Sequence, residues 1–537
     1  MMDFKKRLGV ALLLFAGAFS GNASAQAVPG AVGDAEVPAR AQKQPNVVFI
    51  LADDLGYGDL GCYGAAKVKT PNIDQLASEG RRFTDAHSAS AVCSPSRYGL
   101  LTGEYPFRGD NGKGYWGPCD HFQPLMIATD KLTLAQVFKN KGYATAAFGI
   151  WHLGCGEGTT DWNQPLRPGP LELGFDYYFG VPKVNSGFPF VYVENDRIVG
   201  YDPNDPITFD KPYSETTTYP PEAGPKTDNR VGGAKKAHAI YDDEKTGPLL
   251  VDKAVSWISE NKMKPFFVYF PTTNIHHPFT PSAAFKGSSE CGLYGDFIQE
   301  FDWMVGELVK CLEENDLVDN TLIIVTSDNG GMFNRGGQDA FADGHRQNGE
   351  LLGFKFGVWE GGQRVPFVAK WPGKIPPNSV SDQLISGVDM LATFAALTGQ
   401  AVASKQLADS INVLPALVGD PEHPLRNELV LIPRQPSHVS IRKGKWIYIP
   451  QQAAGGFKGK PGTHGAGGPA AVSFVGNQNS DIENGKIKKD APPAQLYDLS
   501  TDVNQTKNLY NEYPEVVQEM KALLARHYRP ARNGKKK

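Results

Sequence analysis

Asn46-Val47-Val48-Phe49-Ile50-Leu51-Ala52-Asp53-Asp54 is the stretch that decides the fold. Its uninterrupted apolar run is short and β-branched, which predicts a strand buried on both faces, as in a parallel sheet covered by helices. The run ends in two carboxylates, and open α/β sheets place their ligand sites at the carboxyl ends of strands. Strand-like runs recur at 144–150, 265–270, 321–326 and 365–370. Helical patterns fall between them at 73–79, 132–139, 249–260, 295–313 and 389–397. This alternation argues for a largely parallel sheet between helices.

The ends of the chain read differently. Lys5, Lys6 and Arg7 precede an apolar stretch at 8–19, and Ala23-Ser24-Ala25 supplies the small residues of a cleavage site. Residues 1–25 therefore read as a signal peptide, with an apolar core too short to span a bilayer. The expected product is exported, periplasmic or extracellular, without stable membrane insertion, and 26–45 forms a flexible Ala/Pro lead. The remaining roughly 500 residues exceed one hydrophobic core. We expect a catalytic domain over 46–399 and a small C-terminal domain over 400–537. Strand-like 439–442 and 446–449, the Gly/Pro-rich 453–469 and a helical 514–528 make up the latter.

Between them, 185–245 is rich in Pro, Asp, Thr and Tyr. It predicts a hairpin at 190–199 turning at Glu194-Asn195-Asp196, then a long loop beside the pocket. A net charge of -4 gives no broad basic field for nucleic acid or an anionic membrane. Six cysteines in an exported chain suggest disulfides, whose pairing the sequence leaves open.

Cys93-Ser94-Pro95-Ser96-Arg97 resembles the C-x-P-x-R consensus of the formylglycine-dependent type I sulfatases of the alkaline phosphatase superfamily. Other motifs follow in family order from about Asn46 to about Leu509, where Leu496-Tyr497-Asp498-Leu499 and Asn508-Leu509 resemble the C-terminal signature. The resemblance implies an alkaline-phosphatase-like mixed sheet sandwiched by helices, with a smaller C-terminal α+β domain holding an antiparallel sheet. It also implies that a maturation enzyme oxidises Cys93 to formylglycine (3-oxoalanine), whose hydrate attacks sulfate esters.

Asp53, Asp54, Asp328 and Asn329 follow two strand-like runs, and four oxygen donors suit a hard divalent cation, Ca2+ above all. By resemblance they hold Ca2+ beside the modified Cys93, while Arg97 neutralises the nucleophile's oxygen. Gly149-Ile150-Trp151-His152-Leu153-Gly154 is similar to the family's G-K-W-H-L-G. His152 would be the base that takes a proton from the hydrate. Ile150 departs from the pattern, so one cation is missing.

His276, in Asn274-Ile275-His276-His277-Pro278-Phe279, would contact the sulfate and help protonate the leaving oxygen. Lys355, ahead of Glu360-Gly361-Gly362 and Arg364-Val365-Pro366, would bind sulfate and can give a proton to the leaving group. Arg335, His345 and Arg346 lie between these motifs as candidate sugar contacts or plain surface charges. The expected reaction is hydrolysis of a sulfate monoester on a sulfated carbohydrate. Two rivals stand beside it. One is a phosphonate or phosphodiester hydrolase of the same superfamily; the other is a non-catalytic sulfated-glycan binder, to which Ile150 points.

Overall fold

A computed structural model describes residues 44–209 and 233–529. The signal-like segment, most of the lead and the 210–232 part of the predicted loop lie outside the described residues. Among those described, ten strands form one sheet in the order Ser379–Ser381, Arg81–Phe83, Phe367–Lys370, Thr321–Ser327, Asn46–Ala52, Phe266–Pro271, Ala144–Ile150, Tyr177–Val181, Val193–Glu194 and Arg197–Ile198.

The five strands from Thr321–Ser327 to Tyr177–Val181 run parallel. Phe367–Lys370 is antiparallel to both its neighbours, and the predicted hairpin adds two antiparallel strands at the other edge. The sheet is thus mixed, as the resemblance implied, rather than largely parallel. Short strands such as Arg81–Phe83 carry too few residues to show a period of two.

Asn46–Ala52 lies near the middle and is buried throughout. Val47, Phe49 and Leu51 enter one apolar cluster while Val48, Ile50 and Ala52 enter the other, as alternation on a strand dictates. Each of the larger side chains contributes about 1.5–3 kcal/mol by leaving water. Helix Gly292–Glu314 covers one face, burying Tyr294, Phe297, Ile298, Phe301, Met304, Val305 and Leu308 at helical spacing. Leu134–Lys139 and Met390–Thr398 cover the other.

A second sheet orders Glu428–Leu431, Ser440–Lys443, Trp446–Ile449 and Gln495–Asp498, all antiparallel. Helix Pro514–His527 packs on it through Val517, Met520, Leu523 and Leu524. That core also takes in Tyr105, Phe107, Leu352 and Trp359, so the small sheet shares apolar packing with the larger part. Disulfides do not form: all six cysteines are free. No helix among the described residues is long and apolar enough to cross a membrane.

Candidate active site

The parallel register sets Ala52 opposite Ser327, so Asp53-Asp54 and Asp328-Asn329 leave neighbouring strands side by side. The Asp53 amide donates to Asn274 O at 2.9 Å, and the Ile275 amide to Asp53 O at 2.8 Å. These bonds bring the loop bearing His276 to the same edge. Asp54 and His152 both hold left-handed backbone, φ 67° and 54°, which side-chain-bearing residues adopt at a cost of roughly 1–2 kcal/mol.

Arg97 donates from Nε and Nη2 to Asp328 Oδ2 at 3.1 and 2.9 Å, and from Nη2 to Asp53 Oδ2 at 3.2 Å. Its Nη1 reaches Ile150 O at 3.1 Å. Lys355 Nζ donates to Asp54 Oδ1 and lies 4.0 Å from Asp53 Oδ1. Asn329 Nδ2 donates to Asp54 Oδ1 at 2.8 Å. Asp53 Oδ1, Asp54 Oδ2 and Asn329 Oδ1 are buried and have no hydrogen-bond partner among the described residues.

Orphaned buried oxygens are costly, and three carboxylates here face two cations. Burial and the Asp328 and Asp54 carboxylates push Asp53 well above the usual carboxylate range. Burial pushes Asp54 up as well, but Lys355 and His276 outweigh it and leave that group low. Asp53, Asp54 and Asp328 each offer an oxygen within 4.8 Å of the others. An all-oxygen donor set with unmet negative charge fits Ca2+.

Cys93 opens the wholly buried helix Cys93–Thr102, whose amino end favours negative charge. Its Sγ lies within 4.8 Å of ligand atoms of Asp53 and His276. Burial drives the thiol well above its ordinary range, so an unmodified Cys93 offers little thiolate. Neither ring nitrogen of His152 has a hydrogen-bond partner among the described residues. Burial, then the charges of Lys183, Arg97, His276 and Lys355, hold this imidazole well below its ordinary value. A neutral, unengaged imidazole is equipped to accept a proton.

His276 Nδ1 lies 2.7 Å from His277 O and 3.2 Å from Asn185 Oδ1. A carbonyl only accepts, so Nδ1 carries the hydrogen and Nε2 is left facing Asp54 Oδ2 at 3.9 Å. Burial lowers the ring to about 4. His277 instead turns its Nε2 to His464 Nε2 at 3.1 Å, which places His276 as the residue against the carboxylates.

The structure thus gathers Asp53, Asp54, Cys93, Arg97, His152, His276, Asp328, Asn329 and Lys355. Two candidate sugar contacts are engaged elsewhere. His345 Nε2 bonds Asp59 Oδ1 at 2.7 Å in the interior, and Arg346 lies over the Phe341 ring at 3.9 Å. Arg335 sits exposed at the start of helix Arg335–Ala342, and its charge reaches His464. Arg364 anchors its loop through Thr84 O at 2.8 Å and Glu360 Oε2 at 3.0 Å. A Cβ on Gly361 or Gly362 would strike the Gly353 or Gly357 carbonyl. Sequence reasoning missed Asn185, Lys183, His121 and His464, which come from loops without periodicity.

The sulfatase family profile matches residues 45–400. An N-acetylgalactosamine-6-O-sulfatase of Bacteroides thetaiotaomicron is 37% identical over 506 residues, covering 90% of this chain and 93% of that protein. Human arylsulfatase A is 31% identical over 501 residues, 90% of this chain and 87% of its own. A solved 6S-sulfatase structure linked to glycosaminoglycan metabolism by the same bacterium superposes with a TM-score of 0.78 at 34% identity. It covers 90% of this chain and 99% of its own. With these likenesses beside the converging carboxylates, cations and imidazoles, the chain belongs to the sulfatase family and is a sulfuric ester hydrolase.

Proposed function

We propose that the protein removes a 6-O-sulfate from an N-acetylgalactosamine-type sugar of a sulfated polysaccharide, releasing the alcohol and inorganic sulfate. The observation that carries this reading is the buried meeting of Cys93, His152, His276 and Lys355 on the carboxylate cluster. Its substrate class draws on the relative that shares 37% of its residues over 90% of this chain. Asp53, Asp54, Asp328 and Asn329 would hold Ca2+, with Cys93 as formylglycine beside it. When present, the ion supplies charge that polarises the sulfate and the aldehyde hydrate supplies the attacking oxygen.

The chain's own residues divide the remaining work. Lys355 Nζ, anchored on Asp54, holds positive charge where the sulfate oxygens lie. Arg97 locks Asp53 and Asp328 in orientation. His152 takes a proton on a free ring nitrogen. His276 Nε2 gains a proton as the anion binds and passes it to the leaving oxygen. Burial of Cys93, His152 and Lys355 keeps bulk water away. Arg335 is the sugar contact retained from the sequence reading. Export through the 1–25 signal, and maturation by a formylglycine-generating enzyme, complete the proposal.

The test is the mass of the Cys93 peptide from protein exported by its native host, paired with sulfate release from 6-O-sulfated N-acetylgalactosamine. An aldehyde mass with sulfate release is the expected result. An intact thiol, with a control sulfatase matured in the same cells, refutes it.

A further inference from the structure

Sulfate transfer places negative charge on oxygens that must lie between Cys93, His152 and His276. The two buried cations already described are each held by carboxylates, Arg97 by Asp328 and Asp53, Lys355 by Asp54. Position 150, where a side chain leaves the end of its strand beside the site, is a fully buried isoleucine. The neighbouring parallel strand ends at the same level, with Ile150 paired to Val181. Beyond that pair the chains stay together. The Trp151 amide donates to Val181 O at 3.0 Å and the His152 amide to Pro182 O at 3.2 Å. Lys183 is the next residue.

Three links bring the segment around Lys183 to the residues already described. On one side is His152, through Pro182. On a second, Asn185 binds the His276 ring and donates to His276 O at 3.1 Å. On the third, Lys183 Nζ lies 2.8 Å from His121 Nδ1 and 3.4 Å from its Nε2, and the same Nδ1 lies 3.2 Å from Phe188 O. The loop bearing His121 is tied to the nucleophile's helix, because the Cys119 amide donates to Ser94 Oγ at 2.8 Å. The lysine stem is held as well. A Cβ on Gly187 would stand 3.1 Å from its Cδ and 3.3 Å from its Cε, so the 184–187 turn closes over it. His121 is itself fixed by stacking on Phe188 at 4.0 Å. Lys183 remains partly exposed while Val181, Pro182, Val184 and Asn185 are buried.

We propose that Lys183 is the sulfate-binding cation that position 150 does not provide, delivered from the adjacent strand end and positioned by His121. The assignment rests on the sulfatase reading above. Burial holds the His152 imidazole below its ordinary value, and the charge of Lys183 adds to that. One residue would then draw the anion in and help keep the base ready.

The experiment uses the full-length, metal-loaded protein and its Lys183→Ala, Lys183→Arg and Ile150→Lys/Lys183→Ala variants. Turnover is read on 6-O-sulfated N-acetylgalactosamine. Binding of inorganic sulfate is read by calorimetry on the same variants carrying Cys93→Ala. Lys183→Ala is expected to lower kcat/KM about 100-fold, with kcat falling too, and to weaken sulfate binding roughly tenfold. Lys183→Arg should keep most of the sulfate binding, and adding Ile150→Lys should recover roughly tenfold of the lost turnover. The proposal is overturned if Lys183→Ala stays within about threefold of the parent in both readouts. It is equally overturned if activity and melting temperature fall together and neither second variant restores sulfate binding. Should the parent release no sulfate from the sugar, the proposed function fails, and the sulfate titration alone decides the role of Lys183.

Discussion

Arg97 grips the Asp328 carboxylate from two nitrogens, Nε at 3.1 Å and Nη2 at 2.9 Å, with both side chains closed to solvent. The same guanidinium reaches Asp53, so one residue of the helix Cys93–Thr102 sets the orientation of two strands' carboxylates. Removing one partner of a buried ion pair leaves the others uncompensated, at about 3–5 kcal/mol. Arg97→Ala should therefore lose that much stability to urea and nearly all turnover. Parental urea stability would show that the carboxylates do not depend on Arg97.

How much of this was legible beforehand depends on locality. Asp53-Asp54 and Asp328-Asn329 could be read because each closes an apolar run long enough to identify as a strand, and strand ends converge in α/β sheets. Cys93, His152, His276 and Lys355 were legible through short motifs in family order. His345 misled because a histidine in a polar loop looks exposed, whereas Asp59 and Tyr294 draw it inward. Tyr177–Val181 went unnoticed beside a Pro-rich stretch, and with it the position of Lys183. Asn185 and His464 meet His276 and His277 from 91 and 187 residues away, contacts that no local pattern encodes.

Calcium should stabilise the fold measurably. Asp53 Oδ1, Asp54 Oδ2 and Asn329 Oδ1 are buried without hydrogen-bond partners among the described residues, so a bound ion would satisfy groups that otherwise oppose folding. At a hundredfold excess over its dissociation constant a ligand contributes about 2.7 kcal/mol. Chelation with EGTA should lower the melting temperature, and added Ca2+ should restore it. Asp53→Asn should blunt the response. Because burial and the Asp328 and Asp54 carboxylates push Asp53 above the usual carboxylate range, Ca2+ would bind in competition with a proton there, and affinity should fall with falling pH. Calorimetry at two pH values reads this as proton release; a pH-independent affinity would contradict it.

The small sheet is tied to the large one by charge as well as by apolar packing. Arg442 donates from Nη1 and Nη2 to Asp85 at 2.7 and 2.6 Å, with Arg364 3.6 Å and His87 3.7 Å from the same carboxylate. Arg442→Ala should cost about 3–5 kcal/mol, since Asp85 would stay buried with less compensation. Arg442→Lys should recover only part, because an ammonium cannot make the paired contact. Thermal unfolding followed by tryptophan fluorescence checks both. Activity per folded molecule should hold, since Arg442 is not among the residues gathered around Cys93.

The acid limb of the rate profile should report His152. A base works only when unprotonated, so kcat/KM falls as pH drops through its pKa. Four cationic or titratable neighbours face this imidazole: Lys183, Arg97, His276 and Lys355. Together with burial they disfavour the imidazolium, so the limb should lie below the ordinary histidine value of about 6.5. Removing one of those charges makes the imidazolium less costly and raises the pKa. Lys183→Ala should accordingly move the acid limb to higher pH, while Lys183→Arg should leave it near the parental position. Measuring kcat/KM from acid to neutral pH at fixed ionic strength and saturating Ca2+ decides the matter. An unmoved limb in Lys183→Ala would mean that some other group, not His152 under the field of Lys183, governs proton removal.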